Sequence, residues 1–367
     1  MSNSKEKSKK NTHKSKIGGQ ALFEGVMMRG VGKEAMAVRK KDGSIFTEVK
    51  EVPANKWYQK TLFVRGVFNF ILQMKNGYSY LMKSFEVSGF FDEDEENADN
   101  NNENKENDGE NNAESTVVAA SSEPAQNKKP EEPEKPKKEN KAFESIVGAV
   151  GMIFGIGFGV FLFMFVPTHS FSFINGLFEA DLSNYQSLAE GIIRIILFVI
   201  YMWAVSLMKE IRVTYEYHGA EHKTIAAYEA GEELEPENVG NVMKYTRFHP
   251  RCGTSFIFLV LTFSILIYSV LPIKSALLSE YFEISLFLAN ILRITIQILL
   301  TPFIVAVTYE IIKLAGRYDR NIFMRILSAP GLGLQRLTVF EPNEEQVQVA
   351  VSAMIPVIPA DKKEDKW

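Results

Sequence analysis

His218 and His222 stand four residues apart in YEYHGAEHKTIAAYEAG (215–231), with Glu221 between them. Positions four apart on a helix share a face, so both imidazoles can present a ring nitrogen to one cation. His-x-x-Glu-His is the pattern of the inverted zinc peptidases, in which two histidines hold Zn2+ and the glutamate takes a proton from water. Five residues are only moderately specific. A solvated helix face, with Glu221 and Lys223 as surface charges, accounts for the pattern as well. Glu229 lies one or two turns on in a nearby direction and is a further candidate ligand.

A second fragment, TRFHPRCGT (246–254), places His249 and Cys252 in a His-x-x-Cys spacing on a stretch that Pro250 and Gly253 force to turn. Two ligands on a tight turn are common in zinc sites, because the turn aims both side chains one way. Three of the five histidines and the single cysteine thus fall in one loop. His218, His222, His249 and Cys252 together make a closed tetrahedral set, the mark of a structural site. Omitting one opens a position for catalysis. The donors suit a divalent metal, zinc first, with Glu221 as catalytic base. Alternatively Cys252 is a thiolate nucleophile beside His249, which requires a lowered pKa.

Other charged residues are weaker candidates. Glu310, in VAVTYEII, would be costly within an apolar segment unless paired or ligating. Glu216 ends the same Val-Thr-Tyr-Glu tetrapeptide at 213–216, a match expected by chance. Glu24, near Gln20 and Arg29, reads as part of a turn held by a salt bridge, and His169 as plain surface.

The elements that must carry these residues are strongly apolar. Segments 145–167, 191–208, 254–272 and 289–316 are each long enough to cross a bilayer, which takes roughly 20 helical residues. The loop between the first two has no Lys or Arg, and that between the last two has only Lys274. The stretch from Lys209 to Arg251 carries Lys209, Arg212, Lys223, Lys244, Arg247 and Arg251. By the positive-inside rule both termini and this loop are cytoplasmic. Arg194 and Arg293 are expected to snorkel to the outer interface. The fold expected is an α-helical polytopic membrane protein with four transmembrane helices, N-in and C-in. A small cytoplasmic α+β part is formed by the N- and C-terminal segments.

The polar regions divide by composition. Residues 1–16 form a basic tail with six lysines, and 91–142 an acidic linker too polar to bury a core. Between them, 17–90 hold a β-meander, with a hairpin at Lys41-Asp42-Gly43, followed by an amphipathic helix. That helix carries Phe63, Val67, Phe70, Ile71, Met74, Tyr78 and Leu81 at spacings of three and four. The membrane domain covers 143–316, with loop 209–253 carrying the metal residues. Segment 317–360 is read as a strand at LQRLTVFEP and a helix capped by Asn343, with 361–367 a tail. The N- and C-terminal strands are expected to join one sheet. A net charge of -4 gives no pull toward nucleic acid, and one cysteine excludes an internal disulfide.

GGQALFEGVMMRG, YHGAEHKTI, HPRCGTSF and PGLGLQRLT together resemble the YqhQ-type family of uncharacterised bacterial membrane proteins, described as candidate metal-dependent enzymes. The resemblance implies a multi-pass protein of the bacterial cell membrane, and carries the metal role to His218, His222, His249 and Cys252, with Glu221 as base. The scaffold departs from that of the soluble inverted zinc peptidases. Two functions follow. One is a metal-dependent hydrolase at the cytoplasmic membrane face, acting on a membrane-protein segment or lipid-linked group. The other is a non-catalytic factor with a structural metal, binding a membrane protein complex of translocation or quality control. The lipid bilayer is a partner in both.

Overall fold

The computed structural model describes residues 13–54, 56–90, 150–151, 153–177, 182–271, 273–318 and 321–366. The expected acidic linker and most of the basic tail lie outside them. The chain divides into two compact units, one formed by Met1–Phe91 with Phe163–Trp367 and the other by Asp92–Leu162. The described part of the second is a stretch of apolar helix.

The N-terminal strands are β1 (Gly18–Leu22), β2 (Gly25–Arg29), β3 (Lys33–Arg39) and β4 (Ile45–Glu51), an antiparallel meander in the order β1-β2-β3-β4. The expected hairpin joins β3 to β4, with Gly43 at φ 82°, where a side chain would be strained. β2 and β3 are buried on both faces, and side-chain alternation sorts their apolar residues into two cores. Val26, Met28, Ala35 and Ala37 face a helical layer with Tyr217, Ala220, Ile225, Val347 and Val351. Leu22, Met27, Met36 and Val38 face the opposite way, onto Tyr80.

Tyr80 belongs to α1 (Val64–Ser88). Its apolar stripe supplies only part of the packed face, through Phe70 and Leu81. Gly66, Gly77, Tyr80, Ser84 and Ser88 are buried, whereas Phe63, Ile71, Met74 and Tyr78 are exposed. Small residues allow close approach: a Cβ at Gly77 would lie 2.4 Å from Gln20 Oε1, and one at Gly66 3.0 Å from Ala306 Cα.

Next in the chain are α2 (Val166–Leu177), α3 (Gln186–Val205), α4 (Lys209–Glu229), α5 (Gly253–Val270), α6 (Ser275–Phe282), α7 (Leu286–Arg317), α8 (Ile322–Thr338) and α9 (Glu344–Met354). Among the described residues, three helices are long and apolar enough to cross a membrane: Ile153–Leu177, Gln186–Val205 and Leu286–Leu314. A fourth span results if Ser255–Val270 and Ser275–Phe282, bent by 48°, act as one. The first helix continues past residue 167 into the stretch expected as a loop, so His169 is helical, its Nδ1 2.9 Å from the Phe165 carbonyl.

Two expectations are corrected here. The segment LQRLTVFEP is not a strand: it is helical to Thr338, with Leu334, Gln335 and Thr338 buried on one face. Spacings of one and four match a helix rather than a strand. The sheet is therefore built from N-terminal strands alone, and the C-terminal contribution is α9, which packs on β2 and β3 through Val347, Ala350, Val351 and Met354. Second, Arg194 and Arg293 do not reach outward. They are buried at 5% and 1% exposure against Glu190, because a carboxylate on α3 faces both. Asn343 caps α9 as expected, accepting from Gln346 N at 2.8 Å.

Candidate metal centre

α4 enters with an acidic residue in its first turn, Glu210, and stops at Gly231. There φ is 83°, Gly231 N donates to Tyr228 O at 2.9 Å and Glu232 N to Ala227 O at 3.0 Å. That pair of bonds is the Schellman stop, so the glycine fixes the helix end. The middle of α4, Gly219–Ile225, is buried all round, and it carries Glu221 and His222, with His218 one turn before.

Each histidine is oriented by a backbone carbonyl. His218 Nδ1 lies 3.0 Å from Thr338 O, at the end of α8, and His222 Nδ1 lies 2.5 Å from Arg247 O. Donation from Nδ1 makes Nε2 of each ring the nitrogen left for the third member. Cys252 Sγ sits 3.2 Å from His218 Nε2, at the N-cap of α5. One ligand atom from each of His218, His222 and Cys252 lies within 4.8 Å of the others. Two imidazole nitrogens and a thiolate are the donor set that zinc prefers, and the orientation of the rings suits it.

The electrostatics tie the three together. Burial raises the Cys252 thiol, but the adjacent His218 and His222 outweigh it and hold the thiol well below its usual value. Burial also opposes charge on His218, yet Cys252 and Glu221 prevail and raise its pKa to about 9. Glu221, buried beside this group, is pushed up by desolvation, against which His222 and His218 pull it down. The Gly19 amide of β1 is its backbone hydrogen-bond partner. A Cβ at Gly19 would stand 3.0 Å from Glu221 Cδ and 2.6 Å from Met27 O, so only glycine lets β1 approach.

His249 stands beside the cluster, its ring 5.5 Å from that of His222, but its nitrogens face Arg251. Nδ1 lies 3.4 Å from the Arg251 amide and Nε2 3.3 Å from the guanidinium, and a neutral ring accepts through one of the two. Burial, and then Arg251, keep its pKa well below the ordinary value, so the ring is neutral and can accept. The expected set is thus brought together as three residues, with the fourth facing Arg251.

The remaining candidate carboxylates are engaged elsewhere. Glu229 pairs with Arg251 and accepts from Ser15 N at 2.7 Å. Glu310 accepts from Arg65 Nε at 2.7 Å, and Glu216 from Gln346 Nε2 at 3.0 Å. Glu24 accepts from Tyr217 OH at 3.0 Å, while Arg29 pairs with Glu34, so the expected Glu24–Arg29 turn is replaced by a tie to α4.

Sequence reasoning overlooked the residues that hold the cluster. Gln335 is fully buried on α8: its Oε1 accepts from His249 N at 2.9 Å and its Nε2 donates to His249 O at 2.7 Å. It thereby clamps the turn that presents Cys252. Gly331 lets α8 approach α5, since a Cβ there would meet Ser255 Cβ at 2.6 Å. Lys223, 3% exposed, ties α4 to the carbonyls of Met243 at 2.7 Å and Tyr245 at 2.9 Å. The glycine spacing of PGLGLQRLT was the available signal.

Fold and site together define a mostly helical chain with several apolar helices, a small antiparallel sheet and a His-His-Cys cluster. The chain belongs to the family described as "Protein of unknown function (DUF1385)", which matches residues 62–360. It is 28% identical over 339 residues to "Uncharacterized protein YqhQ" of Bacillus subtilis (strain 168), covering 92% of this chain and 90% of that protein. No solved structure matches.

Proposed function

We propose that the chain is a metal-dependent membrane hydrolase holding a divalent ion, zinc by donor type, on His218, His222 and Cys252. The carrying observation is that both Nδ1 atoms are anchored on backbone carbonyls, so Nε2 of each ring turns toward one thiol. A metal held by three protein ligands, with a further position open, supplies Lewis acidity and activates water. Glu221 stands beside the ligands rather than among them. Its carboxylate, raised by burial, would take a proton from water and return it to the leaving group. The Gly19 amide fixes its position. Cys252 caps an apolar helix, so the site lies at the rim of the spans, on the cytoplasmic face by the distribution of basic residues. Substrates of this location are membrane-protein segments or lipid-linked groups.

A second reading is favoured by the burial of Glu221, His222 and Cys252. In it the ion staples α4 to the 246–252 turn and α8, and the protein acts as a structural factor for a membrane protein complex. Metal analysis of the purified full chain tests both: His222→Ala and Cys252→Ser are expected to abolish a stoichiometric ion. A metal-free wild type would refute both readings. Glu221→Gln then separates them, since retained metal with lost cellular function supports hydrolysis and unchanged function supports the staple.

A further inference from the structure

The apolar helices hold a second cluster, remote in sequence from the metal residues. Glu190 on α3 is fully buried, as is Arg293 on α7, and Glu190 Oε1 receives Arg293 Nη1 at 2.5 Å and Gln186 Nε2 at 3.0 Å. Arg194, one turn beyond Glu190, comes only to 3.6 Å from Oε2, which has no hydrogen-bond partner. That Arg194 nitrogen, Nη2, donates instead to Gln297 Oε1, and Nε donates to the Phe163 carbonyl, each at 2.9 Å. One carboxylate thus faces two guanidinium groups, and the cluster keeps an excess positive charge among apolar helices.

The backbone around it is irregular in two places. Phe163 lies within a π-helical turn, Phe161–Phe165, a feature frequent at functional sites. Arg293 Nε donates to the carbonyl of Ile273 at 2.9 Å, in the break between α5 and α6. Transporter sites combine discontinuous helices with buried charge, and an ionisable cluster among apolar helices marks a site candidate.

We infer that Arg194 and Arg293 form a binding site for a phosphate-type oxyanion, with Glu190 as the internal carboxylate that competes for them. A carboxylate has two oxygens and serves one fork fully. A phosphate has enough acceptors for two, and its charge offsets the excess. The ion arrives either as a phospholipid headgroup or as free phosphate.

Native mass spectrometry and thermal unfolding of the full chain, in a phosphate-free maltoside detergent, distinguish these sources. One arm adds inorganic phosphate and the other phosphatidylglycerol. Saturable binding of either supports the site and identifies its source; binding of neither overturns it. Arg194→Gln and Arg293→Gln are expected to weaken binding at least tenfold, and unchanged affinity in both overturns the proposal. Should those variants fail to fold, Glu190→Gln decides. Removing the competing charge is expected to tighten binding at least threefold, and an unaltered or weaker affinity overturns the site.

Discussion

The carbonyl oxygen of Phe340 lies 2.0 Å from the place where a Cβ of residue 219 would stand. Gly219 is therefore the point at which the strand-like exit from α8 crosses α4, with Phe340 N donating to Tyr215 O at 2.9 Å. The same crossing sets Thr338 O beneath His218 Nδ1. Gly219→Ala is expected to push the segments apart, costing about 1–3 kcal/mol by overpacking. Metal content falls with it, because His218 loses its orienting acceptor. Thermal unfolding and metal analysis of the variant check both effects.

Gln335 makes the analogous prediction for Cys252. Gln335→Leu leaves the buried amide and carbonyl of His249 without their partner, at a cost of about 2–4 kcal/mol. Loss of such a supporting contact weakens metal affinity roughly 10–100-fold. Competition with a chelator measures it. Gln335→Ala should behave alike, and normal affinity in both would show that the turn is held by other means.

The local elements were legible in sequence because their signals are local. Alternating residues and Gly43 announce the meander, and Asn343 announces α9. The His218–His222 pair could be read as one helical face, and Cys252 as its companion across the loop. What hid was packing. The apolar stripe of α1 left open whether it docks on the sheet or lies in the membrane interface, and the packed face is marked instead by Gly66, Gly77, Tyr80, Ser84 and Ser88, because close backbone approach matters there as much as side-chain volume. Arg194 and Arg293 looked peripheral because their partner, Glu190, sits on another helix from Arg293. The acceptors of His218 and His222 are main-chain carbonyls, which leave no trace in residue type.

The two shifted groups predict how the metal-free protein responds to pH. His218 is raised from 6.5 to about 9, so its contribution is fully present below 6.5 and lost as pH rises through 9. Cys252 is depressed, so its contribution is present above its ordinary value of 9.0 and lost as pH falls toward its lower folded value. Between 6.5 and 9 the folded pair keeps its proton on His218 and the unfolded pair keeps it on Cys252. The bound protons are equal, and above 9 both states lose that proton together, so these residues produce a plateau of stability from 6.5 upward and a decline only as pH falls below it, where the unfolded histidine takes up an extra proton. Denaturant titrations across this range, compared with a Cys252→Ser variant, test it.

Metal binding should break that balance. An ion on Nε2 of His218 requires a neutral ring, so below about pH 9 each ion bound displaces the His218 proton. Affinity is expected to rise about tenfold per pH unit toward that value. Calorimetry at pH 8 in buffers of different ionisation heat counts the proton directly. A value of zero would mean that the ion does not use His218.

The exposed face of α1 carries the last prediction. Ile71 and Met74 are 55% and 56% exposed, while Gly66 and Asn69 on the same helix pack on α7 at Ala306 and Tyr309. α7 is an apolar helix of spanning length, so this end of α1 runs beside it with its own apolar side outward. Helices of this kind lie in the membrane interface. An Ile71→Trp variant, with Trp57, Trp203 and Trp367 replaced by Phe, is expected to be quenched strongly by brominated lipid. The same probe at Ser84, which is fully buried under the sheet, is expected to be protected, or to disrupt folding outright. Equal, weak quenching at both positions would place the stripe in water, where it would need a protein to cover it instead.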